Sequence, residues 1–208
     1  MSNKAERPEG IPFVVSGPSG AGKTTLYKMA VDFFDDLRHS ISYTTRPPRQ
    51  GETDGVEYHF IDDAAFDRMV EEGEFLEYAC VHGRKYGTRG ADLDALLDAG
   101  NDVLLEIDVQ GAEKLRKAMD QGIYVFVIPP SIEACKTRLS SRGLDTPEEI
   151  TKRLNIAIEE IKRAPFYDYI IVNDEVEPAI ERLKSIITAE KARTVRMMPT
   201  VKDLFSIT

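Results

Sequence analysis

The chain has 208 residues, of which 42% are hydrophobic and 30% charged, and this length suits one well-buried domain. Its formal net charge of −9 at pH 7 argues against a general binder of nucleic acid or anionic membranes, so an anionic ligand must be held by local basic clusters. No apolar run approaches a membrane span, MSNKAERPEG lacks the apolar core of a secretion signal, and Cys80 and Cys135 have neither metal nor redox spacing, so the expectation is a cytoplasmic protein with structural cysteines and no nucleic-acid or membrane partner.

Residues 11–16 (IPFVVS) read as a short buried strand, followed by a glycine-rich turn and a helix from about Lys23 to Asp36. RHSISYTT (38–45) reads as a second strand, RPPRQGETDG (46–55) as a polar turn and VEYHFI (56–61) as a third strand. DDAAFDRMVEEG (62–73) has an acidic start, apolar residues at helical spacing and a closing glycine, and is expected to be a helix. EFLEYACVHGRKYGT (74–88) reads as a strand with a loop, and ADLDALLDAG (91–100) as a short helix. From there the alternation is regular: strand DVLLEIDV (102–109), helix GAEKLRKAMD (111–120), strand IYVFVIP (123–129) and helix SIEACKTRLSSR (131–142). A break at GLDTP (143–147) precedes a helix from about Glu148 to Arg163, strand YDYIIVN (167–173) and helix EPAIERLKSIITAEKA (177–192).

Near-continuous apolar strands alternating with helices predict an α/β fold, a parallel sheet with helices on both faces. Residues from about 41 to 90 interrupt the alternation with half-polar strands and are read as an α+β insert on a core of about 11–40 and 91–190. The tail, 191–208, runs past the last core helix. Val201, Leu204, Phe205 and Ile207 within VKDLFSIT suggest packing on the core or on a second subunit, and a homo-oligomer is left open.

The turn after the first strand is SGPSGAGKTT. Gly17, Pro18, Ser19, Gly20, Ala21, Gly22, Lys23 and Thr24 fit the pattern G-x-x-x-x-G-K-[ST] between a strand and a helix. The glycines let the backbone wrap around phosphates so that successive amides point inward, and the helix N-terminus adds its unsatisfied N–H groups. Lys23 adds a full positive charge, and Thr24 offers a hydroxyl to Mg²⁺. The spacing runs G-x-x-G-x-G, which does not match the dinucleotide fingerprint. The expected ligand is a nucleoside triphosphate.

In SYTTRPPRQGE, Pro47 and Pro48 bias the backbone to a polyproline form, and with three residues per turn Arg46 and Arg49 project from one side. Two guanidinium forks on one rigid edge make a clamp for a phosphate monoester; taken alone, such a loop is more often a solvated turn.

Together, SYTTRPPRQGETDGVEYHF (Ser42–Phe60), GEFLEYACVHGRKYGT and LLEIDVQGA, in order with the phosphate loop, resemble the guanylate kinase family over about Pro12–Ala189. The resemblance implies a P-loop nucleoside-monophosphate kinase: one domain with a parallel core, a GMP-binding insert and a mobile helical lid at about 138–155. The implied reaction is ATP + GMP ⇌ ADP + GDP with Mg²⁺, with dGMP as a further acceptor. It also implies that Ser42, Arg46, Arg49, Glu52, Tyr58, Glu77, Tyr86, Thr88 and Asp108 contact GMP. Arg46, Arg49, Tyr58 and Tyr86 would hold the phosphate, and Ser42, Glu77, Thr88 and Asp108 would read the base. A carboxylate at Glu77 can accept both N1–H and the N2 amine of guanine. Adenine would leave it unpaired, at a cost of roughly 1–3 kcal/mol or more. Without the resemblance, Glu77 reads as a charged residue on the wet face of a strand.

Arg138 and Arg142 lie four apart on one predicted helix, and Arg153 lies beyond the GLDTP break. On spacing alone they read as a basic helix surface, to which Lys136 and Lys152 belong. The family pattern implies that they close over the triphosphate, and with Lys23 and Arg46 they would gather positive charge between two anionic substrates. Glu106 and Asp108 sit at the C-terminal end of a predicted central strand, where open α/β sheets bind ligands; Glu106 is expected to order the water shell of Mg²⁺. A non-catalytic scaffold module of similar sequence would be expected to carry a damaged phosphate loop, and here the loop is intact.

Overall fold

The computed structural model describes residues 10–81, 83–119, 121–141 and 146–207. The elements are β1 (Pro12–Ser16), α1 (Lys23–Phe33), β2 (Leu37–His39), β3 (Tyr43–Thr44), β4 (His59–Phe60), α2 (Asp63–Glu71), β5 (Phe75–Val81), β6 (Arg84–Arg89) and α3 (Gly90–Asp98). They continue with β7 (Asp102–Glu106), α4 (Val109–Ala118), β8 (Ile123–Ile128), α5 (Ile132–Ser140), α6 (Pro147–Ile161), a 3₁₀ turn at Ala164–Phe166, β9 (Tyr169–Val172), α7 (Val176–Lys191) and α8 (Thr194–Phe205).

Five strands form a parallel sheet in the order β2-β7-β1-β8-β9. β1 is central, and all five of its residues are buried, which is why its sequence is a continuous apolar run without alternation. Successive side chains still divide between the two faces. Phe13, Val15, Leu104, Val125 and Val127 pack with Leu26 and Ala30 of α1 and Ile180, Leu183 and Ile187 of α7. Val14, Val103, Leu105 and Tyr124 pack with Leu93 and Leu97 of α3 and Leu115 of α4. A fully buried Leu or Val contributes about 1.5–3 kcal/mol, so these two layers supply the main stabilising term.

The second sheet has the order β4-β3-β6-β5, with β3–β4 parallel and β3–β6 and β5–β6 antiparallel. Its packing is aromatic: Phe66 of α2 stacks on Phe75 at 4.6 Å, Tyr43 meets Phe75 edge-on at 5.8 Å, and Tyr43 lies against His59 at 4.5 Å. Asp62 caps α2 by accepting from the Ala65 amide at 2.7 Å.

Several boundaries differ from the sequence expectation. RHSISYTT is two strands in different sheets: β2 pairs with β7, and Tyr43 and Thr44 pair with Gly87 and Tyr86. VEYHFI is a strand only at His59–Phe60, because Val56 and Glu57 bond back to Thr53 in a turn. EFLEYACVHGRKYGT is a hairpin of two strands, β5 and β6. α1 ends at Phe33, where Phe34 turns extended, and α6 ends at Ile161 ahead of the 3₁₀ turn that contains Pro165. The tail carries α8, none of whose residues is buried; Leu204 and Phe205 are 72% and 71% exposed. Of the side chains expected to pack, Leu204, Phe205 and Ile207 are exposed and Val201 is half-buried, so none of them joins the core among the described residues. Among the described residues no helix is long and apolar enough to cross a membrane.

Candidate active site

The C-terminal ends of β1 and β7, the second sheet and α6 surround one cleft of about 600 Å³. Of the residues expected to act, Gly17, Ser19, Lys23, Thr24, Ser42, Arg46, Arg49, Glu52, Tyr58, Glu77, Tyr86, Glu106, Asp108 and Arg153 line it.

At one end lies the loop between β1 and α1. Gly22 has φ +84° as the cap of α1, and a side chain there would place Cβ 2.4 Å from Asn173 Nδ2, so glycine is required both by conformation and by space. Asn173 in turn donates to the Ala21 carbonyl at 2.8 Å and so ties the loop to the segment after β9. Lys23 Nζ folds over the loop, donating to the Gly17 and Pro18 carbonyls at 2.8 and 3.1 Å. Thr24 Oγ1 donates to Glu106 Oε1 at 2.9 Å, which joins the start of α1 to the end of β7. Pro18, Gly20 and Ala21 belong to the loop without lining the cleft; Ala21 is fully buried.

At the other end the second sheet presents its cations. Arg46 makes a two-pronged pair with Glu52, Nη1 to Oε2 at 2.8 Å and Nη2 to Oε1 at 2.9 Å, and its guanidinium lies 5.2 Å from the centre of the Tyr58 ring. Glu52 also accepts from the Arg49 backbone amide at 2.7 Å. Hydrogen bonding from Arg46 holds the Glu52 carboxyl below its usual range. Glu52 therefore orients Arg46 and the turn that carries Arg49. Tyr58 meets Tyr86 edge-on at 5.9 Å, and burial pushes the Tyr58 phenol above its ordinary value.

Between these ends is a buried carboxylate. Glu77 on β5 is 5% exposed, and Thr88 Oγ1 on the paired strand β6 donates to its Oε1 at 2.8 Å. Thr88 itself is 1% exposed and lies behind Glu77, outside the cleft. Burial pushes the Glu77 carboxyl up to about 7, with the Thr88 hydrogen bond opposing and the charge of Asp108 adding to the shift. Asp108 caps α4 through the Gly111 amide at 2.7 Å, and burial raises its carboxyl as well. Gly111 is where α4 meets Glu77: a Cβ there would lie 2.5 Å from Glu77 Oε2. Ser42 is buried at the rim of this pocket.

The expected lid arginines divide. Arg153 Nη2 donates to Ser19 Oγ at 2.6 Å and so reaches the phosphate loop. Arg138 does not line the cleft; its Nη2 donates to the Asp174 carbonyl at 3.1 Å. Arg142 lies outside the described residues. Three features escaped the sequence reading. Asn173 follows an apolar strand and reads as a turn residue. Glu160, which lines the cleft, lies seven positions after Arg153, a helical spacing that could have revealed it. His39 ends β2 and stacks on Tyr27 at 4.3 Å at the cleft wall, and burial depresses its ring to about 4.

Comparison with known proteins adds an independent line. The family model described as Guanylate kinase matches residues 9–190. A guanylate kinase of Geobacter sulfurreducens is 47% identical over 199 residues, covering 96% of this chain and 98% of its own length. One from Syntrophotalea carbinolica is 50% identical over 198 residues, covering 95% and 94% respectively. The crystal structure of guanylate kinase from Anaplasma phagocytophilum superposes with a TM-score of 0.77 at 32% identity, covering 97% of this chain and 98% of that one.

Proposed function

From the premise that the chain belongs to the guanylate kinase family and is an ATP:GMP phosphotransferase, we propose that the cleft holds its two substrates end to end. ATP lies at the loop of residues 17–24, with the loop amides, the α1 N-terminus and Lys23 on its phosphates. GMP lies under the second sheet, with its phosphate on Arg46, Arg49, Tyr58 and Tyr86 and its base on Glu77, Asp108 and Ser42. Thr88 acts on the base through Glu77, and Glu52 acts on the phosphate through Arg46. In this reading residues 41–90 are the GMP-binding part, 11–40 with 91–190 the core, and 138–155 a mobile lid. Arg138, Arg142 and Arg153 are its cations. Purine nucleotide metabolism, with dGMP as a second acceptor, and a cytoplasmic location complete the reading.

The observation that carries the assignment is a buried carboxylate, held by Thr88 Oγ1 at 2.8 Å, facing the same cleft as an intact phosphate loop. Guanine supplies two adjacent donors, N1–H and the N2 amine, to such a carboxylate, and adenine has neither. Phosphoryl transfer then requires alignment and charge neutralisation more than covalent help. The attacking phosphate oxygen of GMP is already ionised at neutral pH, so no general base is needed.

Mg²⁺ suits the residues present. The Thr24 hydroxyl and Glu106 carboxylate, 2.9 Å apart, are hard oxygen ligands beside the loop. Among the described residues no three His, Cys, Asp or Glu gather to form a metal cage. When bound, Mg²⁺ would neutralise phosphate charge, with Thr24 as its ligand and Glu106 ordering its water shell.

The test is a coupled assay of ADP formation from ATP with GMP, AMP, UMP or CMP. Turnover is expected with GMP, with the other three slower by about a hundredfold or more. Lys23→Met is expected to abolish turnover while leaving the melting temperature unchanged. Comparable rates with AMP would overturn the base assignment.

A further inference from the structure

The chain leaves the second sheet just before Arg46, and two threonines with no part in the proposed substrate contacts make that exit. Tyr43 pairs with Gly87 and Thr44 with Tyr86 of β6. One step on, the Thr45 amide still donates to the Lys85 carbonyl at 3.1 Å, as an antiparallel ladder requires. The return bond differs. The Lys85 amide donates to Thr45 Oγ1 at 3.1 Å, where a regular ladder would offer the Thr45 carbonyl. The next bonded position would fall on Pro47, which has no N–H to give, so the ladder ends here. Thr44 is fully buried, and its hydroxyl is used in both directions: Oγ1 donates to the Lys85 carbonyl at 3.0 Å and accepts from the Arg46 amide at 3.1 Å. The Thr44 carbonyl accepts from the Ile61 amide at 3.0 Å on the side of β4. Lys85 Nζ donates to Asp67 of α2 at 2.7 Å, so the residue that receives both threonines is itself anchored.

We propose that Thr44 and Thr45 are positioning residues of the acceptor-phosphate clamp: their hydroxyls stand in for backbone groups at the end of β3 and hold Arg46 at a fixed spacing from Tyr86. The inference rests on the reading of Arg46 and Tyr86 as contacts of the GMP phosphate. A buried threonine that only satisfied its own hydroxyl would need one nearby backbone partner. Thr44 Oγ1 instead bonds both to Arg46 and to Lys85, the residue before Tyr86. Glu52 cannot do this work. It accepts from the Arg46 guanidinium and from the Arg49 amide, and all three residues belong to one turn, so these bonds close the turn on itself. The Thr44 hydroxyl joins that turn to the sheet. A phosphate held by two groups needs both within hydrogen-bond range at once, so a drift of the turn weakens the clamp without touching the base pocket. In Thr44→Val the Lys85 carbonyl keeps the Thr45 amide, and the strand pairing survives. The loss falls on the Arg46 amide, which is left without its acceptor.

The experiment is steady-state kinetics of the full chain with ATP and GMP, with guanosine as a competitive inhibitor that carries the base without the phosphate. Thr44→Val is expected to raise the KM for GMP about tenfold, with the KM for ATP and the inhibition constant of guanosine each within about twofold of wild type. Thr44→Ser keeps the hydroxyl and is expected to restore the KM for GMP. In an Arg46→Gln background, where the group it positions is gone, Thr44→Val is expected to raise the KM for GMP by less than about threefold. A threonine with a purely structural role would lower the melting temperature and weaken GMP and guanosine alike, in either background. An unchanged KM for GMP in Thr44→Val, or a parallel loss for guanosine, overturns the proposal. Thr45→Val strips the acceptor from the Lys85 amide and is expected to show the same split between GMP and guanosine; it decides the matter if Thr44→Val does not fold. A KM for GMP unmoved by Arg46→Gln alone would mean that the acceptor-site reading had failed, and the proposal with it.

Discussion

Glu77 faces opposite demands before and after GMP binds. In the free protein burial holds its carboxyl at about 7, far above an exposed glutamate. A raised acid contributes stability at low pH, where both states are protonated, and loses it as pH rises through the folded value. The loss amounts to at most about 3 kcal/mol above pH 7. GMP reverses the preference by supplying two donors to the ionised form. Glu77→Gln, neutral throughout, is therefore expected to melt several degrees above the wild type at about pH 8 and equally with it at about pH 4. The variant's KM for GMP should rise tenfold or more at about pH 8, with the KM for ATP nearly unchanged. A variant that melts below the wild type at about pH 8 would refute burial as the cause. Gly111 makes a sharper test because it touches no ligand in the proposed arrangement. A methyl group 2.5 Å from Glu77 Oε2 must push the carboxylate off Thr88. Gly111→Ala is expected to raise the KM for GMP by about tenfold while leaving that for ATP within about twofold. Equal effects on both would mean that α4 itself had moved.

Elements were legible in the sequence in proportion to how far a single apolar face determined them. β1, β7 and β8 are buried on both sides, and their unbroken apolar runs could be read directly. The second sheet was only half legible. Its strands β3 and β4 have two residues each, too short to show a period, and their register depends on pairing with β6, which no local pattern encodes. The same reasoning covers the site. The phosphate loop is a contiguous motif and could be read from its glycines, whereas the Cys135 and Arg153 contacts to Ser19 span 116 and 134 residues. Arg138 stands outside the cleft in this structure because helical spacing gives a face but not what the face meets, and here it meets the Asp174 carbonyl. α8 has apolar residues at helical spacing too, yet none is buried. Truncation after Ala192 is accordingly expected to shift the melting temperature by no more than about 2 °C, measured by scanning calorimetry. A larger fall would show that α8 stabilises the fold through contacts beyond those within one chain.

The three proposed parts each have their own packing. The five-stranded sheet has apolar layers on both faces, the second sheet has the stack of Phe66, Phe75, Tyr43 and His59, and α5 with α6 has Cys135, Leu139, Leu154 and Ala157. Behind the cleft the second sheet rests on the main core, Leu76 of β5 packing with Leu93, Leu97 and Leu115 and Lys114 of α4 donating to the Tyr78 carbonyl; across the open side the contact is polar. Lys28 of α1 approaches Glu57 of the second part at 3.9 Å with its own side chain half exposed, and such a pair contributes little. In the proposed arrangement the second sheet stays seated on α4 and the parts close over the open side of the cleft. The cations on the two sides, Lys23 and Arg153 on one and Arg46 and Arg49 on the other, line one cleft, and two polyanionic substrates between them would be attracted to both sides. Both ligands together should therefore draw the parts inward further than either alone, and closure would exclude the water that could otherwise consume ATP. Small-angle scattering checks this without turnover, using GMP with ADP and Mg²⁺. The radius of gyration is expected to fall by on the order of 1 Å with both nucleotides present and by less with each singly. The same radius in all four states would mean that the cleft is already in its working shape. Transfer would then have to proceed without closure, and Arg153 of α6 would act from where it now stands.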